Sequence, residues 1–398
     1  MAALGEAANA TRRAKIPGVN LWGYKAPPPP TRSTHHYVKP LEGAVRRGQV
    51  VARACADLKH KGFTPNVICA HPGWGEALFL KDVYPNAHVQ LYGEFYYRAS
   101  GADVGFDPEF PTTADDLLRV RIKNATSLIS LEACDSVVSP TQWQKQMFPR
   151  EYQPRIHVAH EGVDTDLVKP DANARLDVGN GTTLSAQDEV VTYVARNLEP
   201  YRGFHSFMRA VAEIQRRRPR AHIVVVGDEG VSYGIALPPG QTYKQKMLDE
   251  AGATIDLNRL HFLGPLPYST LLRVYQVSSA HIYLTYPFVL SWSLLEAMAA
   301  GCAVVASRTA PVEEVISDGN NGLLVDFFSP AEIAARVDVM LERAPEIAAM
   351  RTRAREFVVN HYDLRRICLP AQLNLLKSAG DYPDRVVMPG PSATDKKP

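Results

Sequence analysis

At 398 residues the chain is too long for one ordinary hydrophobic core, so two domains are expected. Its 45% hydrophobic and 22% charged residues are those of a soluble globular protein, and no apolar run reaches the roughly 20 residues of a membrane span. A formal net charge of only +2, with no nucleic-acid-binding motif beside it, excludes nucleic acid as an expected partner.

The start of the chain carries weak signals. Residues 1–15, MAALGEAANATRRAK, have charges but no apolar core behind them, so they do not read as a secretory leader. The first strand is expected at Val19 to Tyr24, before the run Pro27 to Pro30. Residues 1–62 hold eleven Lys/Arg against Glu6, Glu42 and Asp57, which suits either a solvated helix face or a peripheral contact with anionic lipid at the inner face of a membrane.

Apolar strand-like runs then alternate with amphipathic stretches. Asn66 to Ala70 ends in the loop His71-Pro72-Gly73-Trp74-Gly75, and His88 to Tyr92 ends at Gly93-Glu94. Ser136 to Ser139 and Arg155 to Val158 follow, the last leading into the turn His160 to Asp164. Residues 171–188, DANARLDVGNGTTLSAQD, are polar and rich in Gly and Asn, and the interdomain linker is placed there.

The second half opens with a strand at Val190 to Ala195 and a helix at Phe204 to Arg217. Strand His222 to Val226 runs into Gly227, strand Leu260 to Leu263 into Gly264, and a helix is expected at Tyr268 to Gln276. In residues 282–326 a strand at Ile282 to Leu284 meets a loop containing Pro287. A helix opens at Ser293 with Glu296 in its first turn, and Ala303 to Ala306 forms the next strand. An acidic helix start at Glu313-Glu314, an Asn-Gly turn and a last strand complete the segment.

Such strand–loop–helix units predict an α/β fold of doubly wound parallel sheets, which bind ligands at the carboxyl ends of their strands. A carboxylate where a loop becomes a helix suits a ligand hydroxyl, with the helix start facing an anion. The last 18 residues, 381–398, are polar and Pro-rich and are expected to be disordered. Five scattered cysteines without a CxxC pair suggest thiols of a reducing cytoplasm, so neither a metal site nor a disulfide framework is expected.

Several blocks together resemble glycosyltransferase family 4 over roughly residues 64–378. Ala195-Arg196 and Arg202-Gly203 stand where the family has Gly-Arg and Lys-Gly, and Leu294 to Val305 matches its LLEAMAxGxPVV block. Gly162-Val163-Asp164-Thr165 and Tyr362-Asp363-Leu364 also fit. AHPGWGEALFLKDVYP and LYGEFYYR suggest a sub-branch with its own acceptor domain.

The resemblance implies the GT-B architecture of two facing Rossmann-like domains, here 1–180 on the acceptor side and 181–357 for the nucleotide-sugar. A C-terminal helix at 358–380 would pack back toward the first domain. It implies a cytoplasmic, retaining glycosyltransferase with no cofactor beyond its co-substrate, a UDP- or GDP-sugar, and a glycan, lipid-linked or small-molecule acceptor. Arg196 and Arg202 would clamp the diphosphate, with Glu296 on the ribose, Leu290, Ser291 and Trp292 lending backbone donors, and Gly264 and Gly227 letting backbone approach the nucleotide. On the opposing domain His71 and Glu94 would face the scissile bond. No DxD or His-cluster motif is present, so metal-independent transfer is expected.

Two departures stand out. The family's upstream carboxylate lies eight positions before Glu296, where this chain has Phe288, and the family's opening strand–loop–helix unit is not recognisable before Val19. A degenerate nucleotide-sugar-binding homologue and a GT-B epimerase are the competing readings.

Overall fold

The computed structural model describes residues 1–10, 16–342 and 344–380, so the expected disorder of 381–398 lies outside the described residues. Two fully parallel sheets form the frame. In chain order, β1 (Ala2–Glu6) and β2 (Asn20–Tyr24) pair in parallel with each other. The expected strand near Val19 is therefore preceded by another at Ala2–Glu6, whose small residues carry little apolar signal. Leu4 and Tyr24 anchor the pair against the core of the first domain.

The first sheet orders β3 (Val67–Ala70), β4 (His88–Tyr92), β5 (Ser136–Ser139) and β6 (Ile156–Val158) side by side. The second domain holds β9 (Val190–Asn197), β10 (His222–Asp228), β11 (Leu260–Gly264), β12 (Ala280–Tyr283), β13 (Val304–Ser307) and β14 (Leu323–Val325), in the order 11-10-9-12-13-14. Sequence order reverses beside β9, so the switch point that recruits ligands in doubly wound sheets lies at the ends of β9 and β12. Helices Phe204–Arg217 and Pro330–Leu341 cover one face, and helices Tyr268–Val277 and Trp292–Ala299 the other.

Residues 171–188 are not an open linker. They form a hairpin of β7 (Arg175–Asp177) and β8 (Thr183–Ser185), turned at Gly179-Asn180-Gly181. Leu176 and Leu184 pack beneath Val190, Val224 and Val274 of the second domain. The signal was an alternation of apolar residues around an Asn-Gly turn. Polar composition masked it.

Helix Pro345–Tyr362 packs on the second domain, after which the chain crosses to the turn at 160–168. Asp363, 1% exposed, takes the Thr165 hydroxyl and the amides of Arg365 and Arg366. Gln372, on helix Leu369–Gly380, donates to the His160 carbonyl at 3.0 Å. Four cysteines are buried and Cys69 is exposed, all of them free thiols. Of the basic N-terminal surface, Arg46 pairs with Glu42, and Arg47 with Glu6 and Glu76.

Two buried histidines make stability depend on pH. His281 on β12 is fully buried, bonded to Thr192 Oγ1 at 2.9 Å, and burial pushes its ring down to about 3. His160 accepts from the Gly162 amide, and burial pushes it down to about 4. An unfolded imidazole protonates near 6.5, so below that pH the unfolded chain binds more protons than the folded one. Stability from both rings is fully present above about pH 6.5. It should fall as pH drops toward 4, by about 1.4 kcal/mol per pH unit for each ring. Urea midpoints at pH 7 and pH 5 check this, and equal midpoints would rule it out.

Candidate active site

Arg196 leaves the end of β9 into solvent, and among the described residues its guanidinium has no hydrogen bond or ion pair. Arg202 is held differently. Its Nη1 donates to Thr285 Oγ1 at 2.8 Å and to the Val289 carbonyl at 3.0 Å, while its carbonyl accepts from the Tyr193 hydroxyl at 2.6 Å. Arg202 thus splints the loop between β12 and helix Trp292–Ala299, and its other nitrogens are left for an anion. Gly203 follows at φ 68°, and a Cβ there would lie 2.3 Å from Leu284, so only glycine lets this turn seat against β12.

The helix starts one residue earlier than its sequence suggested. Ser291, not Ser293, caps it, and the first helical residue is Trp292, which puts Glu296 in the second turn. Glu296 is partly buried, accepts the Tyr268 hydroxyl at 2.8 Å, and burial raises its carboxyl above the ordinary range. The Ser291 amide is already donated to the Tyr283 hydroxyl oxygen at 2.9 Å, and Leu290 is buried. The Trp292 amide has no intrahelical partner at the first helical position. The Trp292 ring is 57% exposed and its Nε1 donates to Glu161 Oε2 at 3.3 Å.

The two glycines differ. Gly264 has φ 65° with open space around its absent Cβ, so it serves the turn after β11. At Gly227 a Cβ would stand 2.8 Å from the Ala195 carbonyl, so this glycine lets β10 close on β9.

On the first domain, β3 and β4 are neighbours, and the loops after them bring His71 Nε2 to 3.3 Å from Glu94 Oε2. His71 Nδ1 accepts the Gly73 amide at 3.0 Å, which puts the ring proton on Nε2, pointing at the carboxylate. The Trp74 ring stacks on His71 at 4.2 Å and is 59% exposed.

Phe288 is 3% exposed and sits among Phe95, Tyr201 and Tyr233, with centroids 4.7, 5.5 and 4.8 Å away. Phe95 comes from the first domain, so an aromatic ring here joins the domains. A second tie involves Glu314, which ends the short helix Ala310–Glu313 instead of opening one at Glu313-Glu314. Its carboxylate accepts the amides of Gln142 and Trp143, both at 2.8 Å, at the start of helix Gln142–Met147. Among the described residues no group of three or more His, Cys, Asp or Glu is clustered to hold a metal ion, and no helix is long and apolar enough to cross a membrane.

Residues 2–168 match the profile described as Glycosyl transferase family 4 group, and residues 181–357 the profile described as Glycosyl transferases group 1. The chain belongs to this glycosyltransferase family. Its two domains have the GT-B architecture. The chain is 31% identical over 202 residues to a D-inositol 3-phosphate glycosyltransferase of Mycobacterium sp. (strain KMS), covering 51% of this chain and 42% of that one. To the Corynebacterium glutamicum (strain R) protein of the same name it is 30% identical over 222 residues, 53% of this chain and 50% of the other. The match thus spans at most about half the length of these curated relatives. Among solved structures, Anabaena HepE in complex with UDP superposes at TM-score 0.64 with 18% identity, over 90% of this chain and 86% of that one. Sucrose-phosphate synthase from Thermosynechococcus elongatus superposes at 0.69 with 17% identity, over 92% and 85%.

Sequence patterns had no means of finding Tyr268, Glu161 or Glu314 as partners of Glu296, Trp292 and the start of helix Gln142–Met147. Tyr268 and Glu296 are 28 positions apart, and Glu314 and Gln142 are 172 apart. Only Glu314 carried any signal, as one of two adjacent carboxylates.

Proposed function

We propose that the protein transfers a sugar from a UDP-sugar to a hydroxyl of a glycan, lipid-linked or small-molecule acceptor, with retention and without a metal ion. The observation that carries this reading is the exposed, unpaired Arg196 at the switch point, with Arg202 and the start of helix Trp292–Ala299 beside it. Fixed cations and free amides there would stabilise the charge that grows on a departing nucleoside diphosphate. UDP is preferred over GDP because HepE, of like fold, was solved with UDP and with UDP-glucose. The curated relatives' name makes a phosphorylated cyclitol one acceptor to include in tests.

In the step proposed, the acceptor oxygen bonds to the anomeric carbon on the face from which the diphosphate leaves. The bond from that carbon to the phosphate oxygen breaks, and the acceptor proton passes to that oxygen. Glu296 would hold the ribose, and the His71–Glu94 pair would border the sugar.

The test is a melting-temperature panel of UDP, GDP and ADP with their sugars, followed by donor hydrolysis and transfer assays. A rise with UDP, together with sugar release, is expected. No rise with any nucleotide would refute the donor site. Tight UDP binding without turnover would favour the non-catalytic reading, for which the burial of Phe288 in place of a sugar-reading carboxylate speaks. Turnover should survive EDTA, and its abolition with recovery on adding Mn²⁺ or Mg²⁺ would overturn metal independence.

Tyr268 would compete with the ribose for Glu296. Tyr268→Phe removes one hydrogen bond of about 0.5–1.5 kcal/mol, so UDP should bind about 2- to 10-fold more tightly. Calorimetry measures this, and weaker binding in the variant would show that the hydroxyl serves the ligand instead.

A further inference from the structure

The loops that carry His71 and Glu94 form one wall of the cleft between the domains. After Glu94 comes Phe95, whose ring meets Phe288 at 4.7 Å, and further on Asp107 accepts the Tyr286 hydroxyl at 2.7 Å. Phe288 in turn lies 5.9 Å from the Arg202 guanidinium. A row of neighbours therefore leads from Arg202 through Phe288, Phe95 and Glu94 to His71, and ends at Trp74. It starts where the donor's diphosphate is expected and ends on an exposed indole ring.

Trp74 is held in place. A Cβ on Gly75, at φ 104°, would overlap the Ala44 carbonyl, and one on Gly48 would stand 2.7 Å from the Gly75 carbonyl oxygen. Only glycines let this loop seat on helix Lys39–His60. Glu76, two residues past Trp74, accepts the Tyr24 hydroxyl at 2.9 Å and pairs with Arg47 at 3.3 Å, which ties down the loop's far side. On the near side the Gly73 amide orients His71, which covers one face of the indole at 22° from parallel. The ring is still 59% exposed, so its other face is open.

A reachable acceptor stands beside it. Glu94 Oε2 faces the His71 ring proton, while Oε1 carries no hydrogen bond among the described residues and is not buried, on a side chain 38% exposed. Arg98 is the sole Lys or Arg in residues 71–79 and 93–113, and its guanidinium is spent on the carbonyls of Gln146, Met147 and Phe148. This wall thus offers an aromatic face and a carboxylate, and its loops hold no free cation for a phosphate.

Taking the cleft as the transferase site proposed above, we infer that Trp74 and Glu94 select the acceptor, an uncharged pyranose that lays its C–H face on the indole and donates a hydroxyl to Glu94 Oε1. A pyranose suits both groups, because its ring faces are largely C–H and its rim carries hydroxyls. A phosphate group brought to this wall would meet the Glu94 carboxylate, and like charges placed together discriminate against the wrong partner. The acceptor class narrows to neutral sugar rings, and a phosphorylated cyclitol is disfavoured.

Saturation-transfer NMR on the full chain, with and without UDP, tests this with methyl glucoside, methyl galactoside and methyl mannoside, and with glucose 6-phosphate as the charged control. At least one methyl glycoside should bind saturably, with the strongest transfer to the C–H protons of one ring face. Glucose 6-phosphate should bind at least tenfold more weakly. Octyl glucoside beside methyl glucoside tells a lipid-linked ring from a free one. Trp74→Ala should weaken the glycoside about tenfold or more, and Trp74→Phe should recover part of the loss. The ring is exposed, so Trp74→Ala should melt with the unaltered chain. No glycoside binding with or without UDP, binding indifferent to Trp74→Ala, or glucose 6-phosphate held as tightly would each overturn the proposal. The UDP-induced rise in melting temperature, measured on the same protein, separates the two readings. A rise without glycoside binding sinks the acceptor site alone, and a glycoside held on Trp74 without any rise sinks the donor site alone.

Discussion

Under the proposed function, Arg196→Ala is expected to lower kcat/KM for the sugar donor by about 10²–10³, the loss seen when one preorganised charge-stabilising donor is removed. The side chain is exposed and unpaired, so its removal strands no buried group and the melting temperature should not move. Most of the loss should fall on kcat, because the leaving diphosphate carries more charge in the transition state than in the bound donor. Arg196→Lys should recover part of it, since a point charge replaces the fork but not its geometry. Steady-state kinetics on the three proteins decide the matter, and wild-type turnover by Arg196→Ala would remove this residue from the site.

The second large effect concerns stability. Glu199, three residues before Arg202 at the head of the turn that leads into the next helix, is 1% exposed. Its carboxylate collects the amides of Ser232, Tyr233 and Gly234 at 3.0–3.2 Å. An anion in a nest of backbone amides fixes the loop after β10, and with it the Tyr233 ring that packs on Phe288. Glu199→Ala should orphan three amides. Each costs about 1–3 kcal/mol if it stays buried, and partial release of the loop to water brings the total to about 2–4 kcal/mol. The denaturant midpoint should fall accordingly, and Glu199→Gln should also be less stable, because its NH₂ would face amide donors. An unchanged midpoint for Glu199→Ala would show that the nest is not formed in solution.

The parts of the site legible in the sequence are those written in contiguous residues. The strand expected at Val190 to Ala195 and found at Val190–Asn197, the helix Phe204–Arg217 and the helix that carries Glu296 all stand where apolar periodicity put them, within a residue or two. The helix opens at Trp292 and not at Ser293, one residue earlier than expected, because the Ser291 hydroxyl, one of two serines two positions apart, accepts the Ser293 amide as its cap. The hairpin at 175–185 was missed because its strands are three residues long, too short for alternation to rise above polar composition.

By itself the sequence determined the class of fold and the order of its units. Each follows from periodicities and spacings within a few turns of chain. Only the tertiary structure decided what those residues touch. It spent the Ser291 amide on Tyr283, tied Arg202 to the loop it was expected to serve, set Tyr268 on Glu296, and joined the domains through Phe288, Glu314 and Asp107. These contacts join residues tens to hundreds of positions apart. Hydrogen bonding and ring packing depend on distances of a few ångströms, which chain order does not encode.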